Sequence, residues 1–458
     1  MMHNEGLGQL RDSILEPALR MAASQGEDSI TAECVAKHAP CTVEDVHALY
    51  GNLDDLVADL PTYINRRKIQ FLRDTVEATT QPEVGAQLIA VSEGYYSYVE
   101  TNPELFRYLF EHKLSVTQQQ WDALRQGKLS GNESLDMLYI GMEDLAAERG
   151  VTVGEGVSSQ ILAALSVLSW ATIHGLGHLS VIGVLRHQHS VLRRYNLKVV
   201  YEALYNAILR IIDRGDVADA SDRLASLRQA MAAYDEEVPP RVCMDGDHDL
   251  SAMSPEEARE CMLECAIELA GEKGADAVCV EDVARHCGAP VSFVTEWVNN
   301  DFALRERIEE LTDAEFTRRM EYLHEHSSYC ATAADHLECV SVAFFSYALK
   351  NPRRFSALIS AASHSVVPIR EDGIDQTDMG ESLAYLMRIT RQRLHELGQH
   401  DDDKLVYIKN LTLWATANGM SHLASLGELR KLDEDDKWEL FYLGTQVIME
   451  SFSYGIEY

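Results

Sequence analysis

Basic side chains are scarce in this chain of 458 residues. It carries 40 Lys and Arg against 73 Asp and Glu, which gives a formal net charge of −33. A field of that sign repels phosphate over a Debye length of roughly 10 Å, and nonspecific binding of nucleic acid depends on Lys and Arg contacts to phosphate. The composition therefore disfavours nucleic acid held by charge alone. The hydrophobic share of 46% is that of a folded globular protein, and the length allows two or three domains.

Paired cysteines are also missing. The nine cysteines are odd in number and include no C-x-x-C pair. Small secreted domains use an even, closely spaced set for disulfides, and zinc knuckles use C-x-x-C pairs. We therefore expect neither a disulfide framework nor a zinc knuckle, and a reducing compartment fits best.

Long apolar segments are not apparent. We find no run that approaches the roughly 18 residues needed to span a bilayer. The first residues, MMHNEGLGQLRDS, have neither the basic nor the apolar region of a signal peptide. We expect a soluble, cytoplasmic protein without a membrane partner.

Recognisable catalytic and metal motifs are absent too. The sequence contains no G-x-S-x-G, P-loop or Rossmann glycine pattern, so we expect no enzyme and no cofactor. His174 and His178 have an i, i+4 spacing without further ligands. The acidic run from Asp245 to Glu256 resembles a calcium loop, but Leu250 stands where that loop needs glycine. We expect no metal at either place.

What the sequence does contain is a long internal repeat. Four blocks recur in the same order at offsets between 244 and 249 residues. The paired segments are ALRMAASQG with AIELAGEKG, VAKHA with VARHC, GYYSYVETNPELF with AFFSYALKNPRRF, and WATIHGLGHLS with WATANGMSHLA. Recurrence at one long period indicates a tandem duplication.

The junction between the copies is visible as DEEVPPRVCMDGDHDLSAMSP, residues 235–255, which is rich in proline and acids and has little periodicity. We divide the chain into five parts. These are helix-turn-helix domain 1 (1–62), helical domain 1 (63–215), a linker (216–254), helix-turn-helix domain 2 (255–312) and helical domain 2 (313–458).

Both copies have helical periodicity almost throughout, with apolar residues at i, i+3, i+4 and i+7, and no alternating strand pattern. In the first copy an apolar stripe ends at Gly26, and a short helix starts near Thr31. Pro40 then ends this short helix, and Thr42 can cap the next one. This order of helices and turn predicts a helix-turn-helix.

These segments resemble the TetR/AcrR family of one-component transcriptional regulators. The resemblance covers Ile14 to Leu60 and again Cys261 to Ile308, where the apolar frame of the family's DNA-binding domain is kept. Trp170, His174 and Gly175 match the W-x-x-x-H-G signature of one subgroup. The second copy keeps the tryptophan and the glycine but has Asn418 at the histidine position. The resemblance implies an all-α fold of two TetR-like halves, each a helix-turn-helix followed by a ligand and dimerisation domain.

The recognition helices depart from the family in their chemistry. The family's tyrosine, histidine and lysine positions hold His47, Leu49 and Leu53 in the first copy, and Thr295, Trp297 and Asp301 in the second. No Lys or Arg lies between residues 42 and 56 or between 290 and 304, so a bidentate base contact from a basic side chain is absent. The residues left for polar or phosphate contacts are Lys37, Thr42, Glu44, His47, Tyr50, Arg285, Ser292 and Thr295.

The helical domains of such regulators enclose a small, often apolar or aromatic effector. Candidate pocket residues lie at helical spacing in both copies: Tyr95, Tyr96, Tyr98, Trp170, His174, Phe344, Phe345, Tyr347, Trp414 and Asn418. Ordinary core packing explains the same aromatic stripe. The changes from tyrosine to phenylalanine and from His174 to Asn418 indicate that the two pockets are not equivalent.

The last two helices of each family member pair with a second subunit. We expect the same pairing within this chain, as an intramolecular pseudo-dimer of residues 161–184 and 197–212 with 405–426 and 437–451. Two functions follow as hypotheses. The first is a transcriptional regulator, most simply a repressor, whose divergent heads release DNA when an effector binds. The alternative is a descendant without DNA binding that senses a ligand or binds a protein through its acidic surface.

Overall fold

The computed structural model describes residues 2–110, 114–217, 221–238, 253–327, 329–362, 369–370, 373–374 and 381–453. These residues form an all-α fold, as the periodicity predicted, apart from a two-residue antiparallel ladder between Ile369–Arg370 and Gly373–Ile374. Much of the linker falls outside the described residues, including Cys243 and the aspartates Asp245, Asp247 and Asp249 of the acidic run. Glu256, at the end of that run, lies in the first turn of the helix Pro255–Lys273.

The first half contains ten helices in its described part. They are α1 (Met2–Gln25), α2 (Ala32–His38), α3 (Val43–Leu49), α4 (Leu53–Glu77), α5 (Val84–Thr101), α6 (Pro103–Phe110), α7 (Gln118–Arg125), α8 (Glu133–Glu148), α9 (Ser159–Val181) and α10 (Ser190–Arg214).

The second half repeats this order, after an additional helix α11 (Ser221–Glu237). Its helices are α12 (Pro255–Lys273), α13 (Val280–His286), α14 (Val291–Val298), α15 (Asp301–His326), α16 (Ala333–Lys350), α17 (Pro352–Ala361), α18 (Glu381–Glu396), α19 (Asp403–Ser425) and α20 (Glu434–Ser451). Within the described residues, only α7 has no counterpart here.

The two heads are α1–α3 and α12–α14, and the sequence signals at their ends act as predicted. The Thr42 side chain accepts a hydrogen bond from the Asp45 backbone N–H at 3.1 Å and forms a capping box at the start of α3. The φ of Gly26 is +86° and that of Gly274 is +84°, values that L side chains rarely adopt. Glycine therefore ends α1 and α12 at the same point of each repeat.

The helix α11 lies in the segment that the sequence predicted as linker, and it packs on the second half. Leu227, Met231 and Tyr234 are buried. Arg223 pairs with Asp335 and with Glu338 of α16. The chain that leaves the first half is thus fastened to the second before the undescribed part of the linker begins.

The central helices α9 and α19 form the most extensive contact between any two described helices. They touch backbone to backbone, because a Cβ at Gly175 would overlap the Ala415 carbonyl and a Cβ at Gly419 would overlap the Ala171 carbonyl. The helices α10 and α20 also pack on each other and on this pair. Both halves therefore share one core through four helices, whereas the second head has a core of its own.

The helix α9 corrects one sequence expectation. It is long and apolar enough to cross a membrane by length and composition, with a mean hydropathy of 1.3, although we expected no such segment. In the structure 94% of that window is buried inside the protein. Its apolar composition is explained by contacts on every side, since helices that are hydrophobic all round occur in protein cores as well as in membranes.

Candidate functional site

The first head presents a small polar surface. Lys37, Thr42, Glu44 and His47 are exposed on α2 and α3. Tyr50 differs from them, because its ring is buried and its hydroxyl accepts a hydrogen bond from Arg11 Nε at 3.3 Å. Of the five residues predicted for DNA contact in this head, four therefore share an accessible face and the fifth is part of the core.

The second head presents a more apolar surface. Arg285, Ser292 and Thr295 are exposed, but the Arg285 guanidinium pairs with Asp282 at 3.1 Å and the Thr295 hydroxyl bonds its own helix. Beside them on α14, the side chains of Val291 and Phe293 are 43% and 37% exposed. The two heads are therefore different in chemistry as well as in sequence.

Both heads are strongly acidic. Residues 1–62 hold 3 basic and 11 acidic side chains, and residues 255–312 hold 5 and 14. The excess of negative charge is thus present in both heads, the parts of the chain with which a family member would meet DNA. It weakens the phosphate contacts that supply most of the affinity for nucleic acid.

A cavity of about 70 Å³ lies inside the second helical domain. Its walls come from α15 to α19 and are mainly apolar, with Phe316, Phe344, Leu358, Trp414 and Ala417 among them. A second cavity, of about 40 Å³, occupies the equivalent place in the first domain. We call them the distal cavity and the proximal cavity, respectively.

The two cavities differ in the charged group that lines them, which is Asp313 in the distal cavity and Lys68 in the proximal cavity. Tyr95 stands where the distal cavity has Phe344, and Lys68 stands where it has Phe316. The Lys68 ammonium is only 2% exposed and lies 3.8 Å from the carboxylate of Glu428, which belongs to the second half. Burial lowers the pKa of Lys68 and raises that of Glu428, and their mutual attraction opposes both shifts.

The predicted pocket residues divide into two groups. Tyr95 and Trp170 line the proximal cavity, and Phe344 and Trp414 line the distal cavity. The other six are not among the wall residues of either cavity. Tyr96, Tyr98, Phe345 and Tyr347 are buried in packing around the helices, and His174 and Asn418 lie where α9 crosses α19.

That crossing holds a buried polar cluster. Tyr95 Oη lies 2.9 Å from His174 Nδ1, and His174 Nε2 lies 2.9 Å from His422 Nδ1. The His178 ring lies 4.3 Å from the His422 ring, centroid to centroid, and the Asn418 amide donates to His178 Nδ1 at 3.1 Å. If the Tyr95 hydroxyl donates to His174 and His174 Nε2–H donates to His422, every one of these hydrogen bonds forms with both imidazole rings neutral.

Burial determines the charge of these rings. It lowers the pKa of His178 to about 4, with a smaller opposing effect from the Asn418 hydrogen bond. It also holds the pKa of His174 well below its usual range, and the neighbouring His178 and Lys68 act in the same direction. Both rings are therefore neutral at pH 7.

Sequence reasoning singled out His174 and Asn418 but missed His422, Lys68 and Glu428. His178 and His422 occupy equivalent places in the repeated blocks GLGHLS and GMSHLA. The signal available in the sequence for His422 was that both copies have a histidine at this position of an otherwise apolar helix. Lys68 and Glu428 are 360 positions apart in the sequence, and no local sequence pattern predicts that they pair.

One helix connects the distal cavity with the second head. Leu358 and Ile359 of α17 line the cavity, whereas Ala357 and Ala361 belong to the separate core of the second head. The same helix carries Arg354, whose guanidinium bonds Glu264 of α12 and Glu315 of α15. A displacement of α17 would therefore act on the cavity wall and on the head together.

The comparisons with known proteins add no family. No protein-family model matches the chain, and a search of curated proteins returns no match.

Proposed function

We propose that this chain is a ligand-responsive transcriptional regulator of the TetR type, in which two fused copies pair as an intramolecular pseudo-dimer. The observation that carries the proposal is the double role of α17, which lines the distal cavity and completes the core of the second head. A ligand that moves this helix changes the position of a DNA-reading element.

The pseudo-dimer is supported by reciprocal contacts at the crossing. Gly175 meets Ala415 and Gly419 meets Ala171, while Thr172 Oγ1 lies 2.9 Å from its own counterpart, Thr416 Oγ1. Reciprocal contacts between equivalent residues are the signature of a twofold interface. Because the linker joins the copies, their pairing needs no second chain.

The small volume of the cavities supports a switch. About 70 Å³ is less than the roughly 150 Å³ of an apolar cavity that admits benzene. An effector must therefore bind a wider arrangement of the same helices and shift the population toward it. The distal cavity is walled mainly by apolar side chains, and its charged wall residue, Asp313, already accepts hydrogen bonds from the Ser382 hydroxyl and the Glu381 backbone N–H. This lining favours an uncharged, apolar or aromatic molecule.

The ligand step is tested by filling the distal cavity. Ala417→Ile places there the residue that the proximal cavity has at Ile173. We expect planar aromatic compounds to raise the melting temperature of the wild-type chain and to lose that effect in the variant, because the added side chain occupies their space. Ile173→Ala is the matched control and should keep the response. An equal response in Ala417→Ile would contradict binding in the distal cavity.

The DNA step is tested separately, by binding of the purified chain to its own upstream DNA at about 50 mM and about 200 mM salt, beside a scrambled fragment. We expect specific binding with a shallow salt slope, and Lys37→Ala should weaken it and reduce the slope by about 1. Lys128→Ala, which removes an exposed charge outside both heads, is the control.

A second candidate function is supported by the acidic heads and by the exposed apolar side chains of α14. Charge of this sign repels DNA, while Val291 and Phe293 offer a surface suited to a protein partner. Absence of DNA binding at about 50 mM salt, with ligand binding retained, would favour this sensor without DNA binding over the regulator.

A further inference from the structure

A cluster of metal-ligating side chains lies far in sequence from the residues discussed above. The connection between α15 and α16 brings His324, Cys330 and His336 together, with one ligand atom of each within 4.8 Å of the others. The two imidazole rings stack at a centroid distance of 4.2 Å. The thiol of Cys339 lies 3.0 Å from the Cys330 sulfur and is buried.

The local chain path explains how sixteen residues build this cluster. His324 stands in the last turn of α15, Cys330 in the loop, and His336 in the first turns of α16. Cys339 follows His336 by three residues and so shares its helical face. His324 is exposed and Cys339 is buried, so the cluster has a solvent side, through which an ion can enter, and a protein side.

The donor set selects the ion. Imidazole nitrogen and thiolate sulfur suit Zn²⁺, which binds them at about 2.0–2.3 Å in tetrahedral geometry, whereas Mg²⁺ and Ca²⁺ require oxygen ligands. The Tyr385 hydroxyl lies 3.4 Å from His336 Nδ1, which leaves Nε2 of that ring for the metal. Partners of this kind orient a ligating histidine.

The first half serves as an internal comparison. The positions equivalent to His324, His336 and Cys339 are Val76, Gln87 and Ala90, and the connection from residue 78 to 83 contains no cysteine or histidine. The same helix-loop-helix therefore forms without any of these residues. The shared fold does not account for four ligand-type side chains at one end of the second half.

We propose that His324, Cys330 and His336 bind one Zn²⁺ ion and that Cys339 completes the tetrahedral set. Each thiol loses its proton to solvent as its sulfur bonds the metal, so binding weakens as the pH falls. Small side-chain rotations close the ligands around the ion. The bound ion fastens the end of α15 to the start of α16, two helices that wall the distal cavity.

The test uses the full chain, fully reduced and freed of metal by a chelator. Co²⁺ is titrated first, because thiolate ligation gives it a charge-transfer absorption, and Zn²⁺ is then measured in competition with a chromophoric chelator. We expect one equivalent of metal. Tyr385→Phe, which removes the partner of a ligating histidine, should weaken Zn²⁺ binding about 10-fold. Cys330→Ser and His336→Ala, which remove ligands, should weaken it more. His326→Ala and Cys279→Ser, which change the same residue types outside the cluster, should bind as the wild type does.

Three outcomes would overturn the proposal. One is the absence of a thiolate-to-cobalt band in the reduced chain. Another is an equal loss of affinity in the cluster variants and the controls, which would indicate adventitious ions on surface histidines. The third is a disulfide between Cys330 and Cys339 that persists under reducing conditions, seen as a mass lower by two hydrogens that Cys330→Ser restores.

Discussion

At the scale of single residues, two glycines set the distance between the halves. Gly175 and Gly419 let α9 and α19 approach until their backbones touch, and a methyl group at either position would overlap a carbonyl of the other helix. Because protein interiors are closely packed, such an overlap forces the backbone to move. The glycine of the repeated tryptophan block is therefore explained by an interface between the copies.

Gly175→Ala should lower the free energy of unfolding by about 3 kcal/mol, at the upper end of the cost of overpacking. Denaturant unfolding measures the change. The control is Gly150→Ala near the end of α8, where a Cβ meets no neighbour but the φ of +72° is unfavourable, so a cost of about 1 kcal/mol is expected. A smaller effect at Gly175 than at Gly150 would show that the helices do not cross as described.

At the scale of elements, the second head is fastened by α17. The Arg354 guanidinium, 8% exposed, bonds carboxylates from α12 and α15. In the first half the equivalent residue is Leu105, and there Glu16 of α1 pairs instead with Arg67 of α4. Both halves therefore join the head to the helical domain through ion pairs, but the residues that form these pairs differ.

Arg354→Leu, which copies the first half, should destabilise the second head by about 3–5 kcal/mol, because Glu264 would stay buried without its cation. Hydrogen exchange of α12, α13 and α14 reports this locally. Arg353→Leu removes the neighbouring, 55% exposed guanidinium, which pairs with Glu268 and Glu272, and should cost less than about 1 kcal/mol. Equal protection of α12 in both variants would refute the role given to Arg354.

At the scale of the whole molecule, the core that joins the halves contains neutral histidines. Tyr95, His422 and Asn418 bond His174 and His178, and the nearby cations are Lys68 and Arg107. The pKa of each of the two rings is lower in the folded chain than in the unfolded one. Below pH 6.5 the unfolded state therefore binds more protons, and acid favours unfolding.

We expect stability to fall between pH 6.5 and about 4, the pKa of His178, by about 1.4 kcal/mol per pH unit for each of the two histidines. Because carboxylates add to acid sensitivity, the informative quantity is the difference between variants. His174→Asn gives the first half the residue that the second half has at Asn418. The free energy of unfolding of this variant should fall less between pH 7 and pH 5 than that of the wild type, because the contribution of His174 to the decrease is removed. His400→Asn, at an exposed position, should leave that loss unchanged.

Local signals in the sequence decided much of this protein. The periodicity determined that it is all-α, Thr42 and the glycines determined where the head helices begin and end, and the repeated blocks showed the duplication. These features depend on contacts within a few residues, or on the comparison of one stretch with another, and both can be read along the chain.

The tertiary structure decided which buried polar groups meet. The aromatic pattern predicted pocket residues, but only the packing places Tyr95, Trp170, Phe344 and Trp414 at cavities and His174 at the crossing. The partners Lys68 and Glu428, and His174 and His422, come from opposite halves. These contacts affect stability strongly because they are buried. Their burial depends on how the two halves pack together, and no single segment of the sequence specifies that packing.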